Sequence, residues 1–110
     1  MIKRVSLLTR KDGMTHEQFT RHWLEIHAPL ARPVPGLKRY VQSHILEEFK
    51  RADIPTSSVQ VDGIAELWFE DRAGMERALA SPEMTALHAD AALFIGANKT
   101  FVVDEKTIIA

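Results

Sequence analysis

The sequence predicts an α+β domain with element order βαββαβ, and three observations carry that reading. Four runs rich in aliphatic and β-branched residues alternate in character with a period of two. Two intervening stretches repeat apolar residues at helical spacing, each behind a capping residue. Turn-forming Gly, Pro, Asp and Ser clusters separate the runs, with no repeat of 20 to 50 residues.

The first strand runs from Ile2 to Thr9 and stops at the turn Lys11-Asp12-Gly13. Thr15 with Gln18 forms a capping-box pattern, and Phe19, Trp23, Ile26 and Leu30 recur at helical spacing, so a helix is expected from about His16 to His27. Ala28-Pro29 is expected to end it, since the residue before proline disfavours the α region. The second strand, Leu37 to Leu46, sets Leu37, Val41 and Ile45 on one face and Lys38, Tyr40, Gln42 and His44 on the other. Glu47 to Ser58 reads as a surface connection. The third strand, Val59 to Phe69, sets Ala65, Leu67 and Phe69 against Ile64, Glu66 and Trp68. Asp71 caps a helix carrying Met75, Ala78 and Leu79, which breaks at Ser81-Pro82 and resumes through Met84, Leu87, His88 and Ala91. The fourth strand is expected over Lys99 to Ile109.

The 110 residues suit one core and one domain, 1–110. Fourteen basic side chains against 15 acidic ones, a formal charge of −1, give no field for nucleic acid or an anionic membrane. The apolar run after Met1-Ile2-Lys3-Arg4-Val5 is only about five residues, far below the roughly 20 of a membrane span. A cytoplasmic protein is expected. Cysteine is absent, which excludes disulfides, thiolate metal sites and a cysteine nucleophile. No glycine-rich nucleotide loop or Gly-x-Ser-x-Gly elbow occurs, and no His-x-x-x-His pair with a third ligand supports zinc. No cofactor is expected.

A βαββαβ unit is ferredoxin-like: both helices cover one face of an antiparallel sheet and leave the other bare. On the expected register that bare face carries Tyr40, His44, Ile64, Trp68 and Val102 beside Gln42 and Glu66. Burying one large aromatic there contributes roughly 2 to 3 kcal/mol, so a homodimer closing two sheets into an α+β barrel is expected. The chamber between them would take a small apolar or aromatic-type ligand.

Phe19-x-x-x-Trp23-x-x-x-His27-Ala28-Pro29-Leu30, followed by Pro35-Gly36-Leu37-x-x-Tyr40, resembles the signature of the EthD family. The resemblance implies the dimeric α+β barrel shared with methylmuconolactone methylisomerase, small polyketide cyclases and antibiotic-biosynthesis monooxygenases. It also implies an association with breakdown of ethers and aromatic compounds, but no single reaction.

Four residues are candidates for catalysis. His27, at the helix end, and His44 are candidate bases; Tyr40 is a candidate hydrogen-bond donor to an enolate; Glu66 is a candidate orienting or proton-carrying partner. The two histidines and Glu66 have structural alternatives: a C-terminal or strand-end histidine, and a carboxylate anchoring backbone amides or making a dimer contact. Trp23, Trp68, Ile64 and His88 are candidate substrate contacts, with core packing as the alternative for Trp23 and His88. His16, His22 and Glu25 read as a solvated helix face. The expected function is a cofactor-independent isomerase, cyclase or related enzyme on an apolar carbonyl or aromatic-derived compound. The alternatives are a non-catalytic binding or accessory dimer, or a haem-binding or monooxygenase-like barrel.

Overall fold

Alternating aliphatic residues build the strands and capped amphipathic runs build the helices of the computed structural model, which describes residues 1–110. The chain runs β1 (Ile2–Arg10), α1 (His16–His22), a π-helical turn (Trp23–His27), α2 (Ala28–Ala31), β2 (Leu37–His44), β3 (Gly63–Phe69), α3 (Arg72–Leu79), α4 (Pro82–Phe94) and β4 (Ile95–Val103). The sheet order is β2-β3-β1-β4, antiparallel throughout. This is the expected ferredoxin-like α+β arrangement. The Thr15–Gln18 capping box closes the start of α1, while Asp71 and Ser81 cap α3 and α4. No helix is long and apolar enough to cross a membrane.

Three expectations need correction. The first helix does not stop before Pro29. Proline lacks the amide that would bond four residues back and its ring crowds that carbonyl. The chain instead widens into π register, Ala28 N–H bonding the Trp23 carbonyl, and continues to Ala31. The strand limits also move: β2 ends at His44, β3 starts at Gly63 and β4 follows α4 directly at Ile95.

The third correction concerns β2 and β4. Tyr40, Gln42 and His44 pair with Leu67, Ala65 and Gly63 and face the helices, not the bare side. Tyr40 packs on both core clusters, and the His44 ring stacks on Trp23 at 4.6 Å. Val102 pairs through Arg4 and also lies on the helix side, so Phe101 and Val103 take the bare side. Ile64, Glu66 and Trp68 remain there as expected, beside Val41, Val5 and Leu7.

The core lies between sheet and helices in two clusters. One joins Phe69, Met75, Met84 and Leu87; the other joins Leu8, Phe19, Trp23 and Phe94. At Gly63 an added Cβ would run into the Trp23 ring, so glycine there is what lets the indole lie flat on the strand.

Candidate functional site

Between the two core clusters the packing leaves a small cavity of about 100 Å³, roofed by the first helix and α4 and floored by β1, β2, β3 and β4. Trp23 and His27 reach it from the π turn, Tyr40 from β2, Leu67 from β3 and His88 from α4. A larger open groove of about 790 Å³ runs outside it, between the first helix and the edge strand β2, sharing Ala31 and Tyr40 with the cavity.

His27 is the best-defined polar group in the cavity wall. Its Nδ1 lies 2.8 Å from Asp90 Oδ2, and both residues are buried, at 7 % and 9 % exposure. A carboxylate only accepts, so Nδ1 carries the proton of the neutral ring and Nε2 is left as an acceptor with no protein partner. Burial pushes the His27 pKa below the ordinary histidine value; Asp90 opposes that, while His22 and His88 add to it.

Asp90 holds a second imidazole: His22 Nε2 lies 3.0 and 3.1 Å from its two oxygens. Residues five apart diverge on an α-helix, but the π turn lies between them and brings them to one face. Phe94 packs on both rings, stacked on His22 at 4.5 Å and edge-on to His27 at 5.0 Å. His22 is therefore the half-buried outer member of this network, not part of a solvated face. His16 is likewise engaged, its ring nitrogens 3.0 Å from Asp62 Oδ1 and from the Ile45 carbonyl oxygen. No group of three or more His, Cys, Asp or Glu side chains is placed to hold a metal ion.

Tyr40 lies across the cavity, its hydroxyl accepting from Gln42 Nε2 at 2.8 Å and keeping its own proton to donate. Burial raises its pKa, against the lowering effect of its hydrogen bonds. Gln42 also donates to the Trp23 carbonyl at 2.9 Å, while its Oε1 is 2.8 Å from His44 Nε2. His44 lines the outer groove, not the cavity, and burial lowers its pKa, with His16 adding to the effect.

The sequence candidates thus fall into two groups. His27, Tyr40, Trp23 and His88 share the cavity. Glu66, Trp68 and Ile64 stand on the opposite face of the sheet. Glu66 is ion-paired with Lys3 there, and Lys3 and Arg39 lie over the Trp68 ring at 4.8 and 4.7 Å. Glu66 therefore cannot orient His27. Asp90 does so, and sequence reading passed over it. The available signal was its place between Leu87 and Phe94 at helical spacing, a carboxylate on the buried stripe of α4.

This architecture defines a ferredoxin-like α+β protein, and solved structures bear the fold out. An EthD family protein from Bacillus halodurans superposes with a TM-score of 0.76 at 23% identity, over 96% of this chain and 99% of its own. A dimeric ferredoxin-like protein of unknown function from Thermobifida fusca gives 0.64 at 17%, over 93% and 88%. The EthD domain model matches residues 11–98, and the chain belongs to the EthD domain family. Among curated relatives, a 4-carboxymethyl-4-methylbutenolide mutase from Pseudomonas reinekei is 28% identical over 106 residues, 96% of this chain and 98% of the relative. An uncharacterised 11.0 kDa protein from Rhodococcus erythropolis is 29% identical over 92 residues, 83% of this chain and 84% of its own.

Proposed function

We propose that this chain is a cofactor-independent enzyme of small-molecule metabolism, an isomerase that relocates a proton on a carbonyl-bearing ring compound bound in the inner cavity. The observation that carries the reading is the buried His27–Asp90 pair, which presents an unprotonated Nε2 in a largely apolar cavity. His27 removes a proton from the carbon beside the carbonyl, and the electron pair of that C–H bond forms the enolate. Tyr40 donates to the enolate oxygen. Asp90 stabilises the imidazolium, which returns its proton to another carbon of the conjugated system and is neutral again. No proton is gained or lost overall. The similarity to a butenolide mutase supports an isomerase-class reaction.

The test is solvent exchange. In D₂O, with 4-methylbut-3-enolide and related butenolides that carry a CH₂ beside the ring carbonyl, the wild-type protein is expected to place deuterium at that carbon, followed by NMR. His27→Gln, which keeps a side chain of similar reach but no base, is expected to be slower by roughly a hundredfold or more. No exchange on any butenolide by the wild type, or an unchanged rate in His27→Gln, would overturn the proposal.

We further propose that two copies meet through the helix-free face, where Val5, Leu7, Ile64, Trp68 and Phe101 cluster. The T. fusca structural neighbour is described as dimeric.

A further inference from the structure

We propose that Arg4 is an anion-binding residue of the inner cavity, so that the natural ligand is a small carboxylate whose carboxyl group lies on its guanidinium. The inference deepens the reading of this cavity as the ligand site and rests on it.

Arg4 stands on β1 between Leu67 of β3 and Val102 of β4, facing the helices and lining the cavity. The other two partly buried cations of β1 each have an acid. Lys3 pairs with Glu66 and Glu105, and Arg10 Nη1 pairs with Asp62 at 2.7 Å. Arg4 has none: burial lowers its pKa and no acidic group opposes it. A guanidinium brought out of water without a counter-charge is costly, and its donors suit a carboxylate bidentately.

The rest of the lining agrees in sign. Its ionisable side chains are Arg4, His27, His88 and Tyr40, with no Asp or Glu among them. The nearby acid, Asp90, is already taken by His22 and His27. His88 is held below the ordinary histidine value by burial and by the Arg4 charge, so neutral imidazole beside Arg4 leaves the guanidinium as the local positive charge. Ser6 and Thr100, next along the same face from Arg4, line the cavity with hydroxyls bonded to each other at 2.8 Å that leave one proton between them to donate, whereas Trp23, Ala65 and Leu67 offer an apolar wall for the body of the ligand. An amphipathic anion matches this division.

The experiment compares two isosteric probes, 2-furoate and its neutral amide 2-furamide, by NMR titration of the full chain. The expected result is 2-furoate binding about ten- to a hundredfold more tightly, the gain a charge-assisted hydrogen bond supplies, with its largest shift at Arg4 Nε–H. In Arg4→Met the preference is expected to vanish while 2-furamide affinity is kept, and Arg4→Lys is expected to restore part of it. Equal affinities in the wild-type protein, which need no variant to fold, would overturn the proposal, as would a preference that survives Arg4→Met. Deuterium exchange on butenolides without a furoate preference would sink this inference and spare proton transfer. A furoate preference without exchange would do the reverse.

Discussion

At the scale of single residues, the site depends on which proton sits where on His27. Because burial lowers its pKa, the ring stays neutral to a lower pH than a free histidine, and activity that needs a free Nε2 is lost only as pH falls through that lowered value. Asp90 works against the lowering, so Asp90→Asn is expected to move the acid limb of a pH–rate profile further down. It is also expected to cut the rate roughly ten- to a hundredfold, since the imidazolium loses its counter-charge. An unmoved acid limb would separate Asp90 from His27. Asp62 gives a second residue-scale test. Burial alone would raise its pKa, but Arg10 N–H, Gln60, His16 and the Arg10 side chain together hold it at about 2, below the usual 3.8. A depressed carboxyl pKa stabilises the fold above pH 4 and that gain is lost as pH falls toward 2. Asp62→Asn is expected to remove about 2 kcal/mol of stability at neutral pH and flatten the acid decline, measured by urea unfolding at several pH values. His27, Tyr40 and Trp23 were legible in the sequence because a motif and helical spacing carry them. Asp90 and Arg4 were not, because a lone charge within an apolar pattern is read as solvated until a partner, or the lack of one, is seen.

At the scale of elements, the π turn organises the site. It accommodates Pro29, brings His22 and His27 to one carboxylate, and places Trp23 against β2. Its cause was visible in Ala28-Pro29, yet proline reads equally as a stop, and only packing against α4 decides that the helix continues to Ala31. The facing of β2 was misjudged for a related reason. A strand face of Tyr40, Gln42 and His44 reads as polar, but Gln42 satisfies the Trp23 carbonyl and the Tyr40 hydroxyl, and His44 lies flat on the indole. Polar side chains turned inward by mutual hydrogen bonding defeat an alternation argument. The close approach at Gly63 gives the element-scale prediction. Gly63→Ala is expected to displace Trp23 and cost about 1 to 3 kcal/mol of stability, read as a lowered Tm with altered tryptophan fluorescence. An unchanged Tm and spectrum would mean the indole is free to move.

At the scale of the whole molecule, the fold is two layers thick, with a shortest dimension of 20 Å. That leaves one sheet face bare, and this part of the expectation rested on topology alone, so it survived the misjudged register. What changes is its proposed role: the proposed ligand site lies on the helix side, within one subunit, and the bare face is the proposed assembly surface. Light scattering is expected to report twice 12.4 kDa, and Phe101→Asp with Val5→Asp is expected to shift the protein toward monomer. A monomer at working concentration in the wild type would refute the assembly without touching His27.

Whether His27 offers a free base is decided by its own protonation state, and nitrogen-15 NMR of the imidazole reads it without a substrate. At pH 7 the expected spectrum is that of a neutral ring protonated at Nδ1 on Asp90, with Nε2 free. A ring protonated at Nε2, or an imidazolium at that pH, would contradict it.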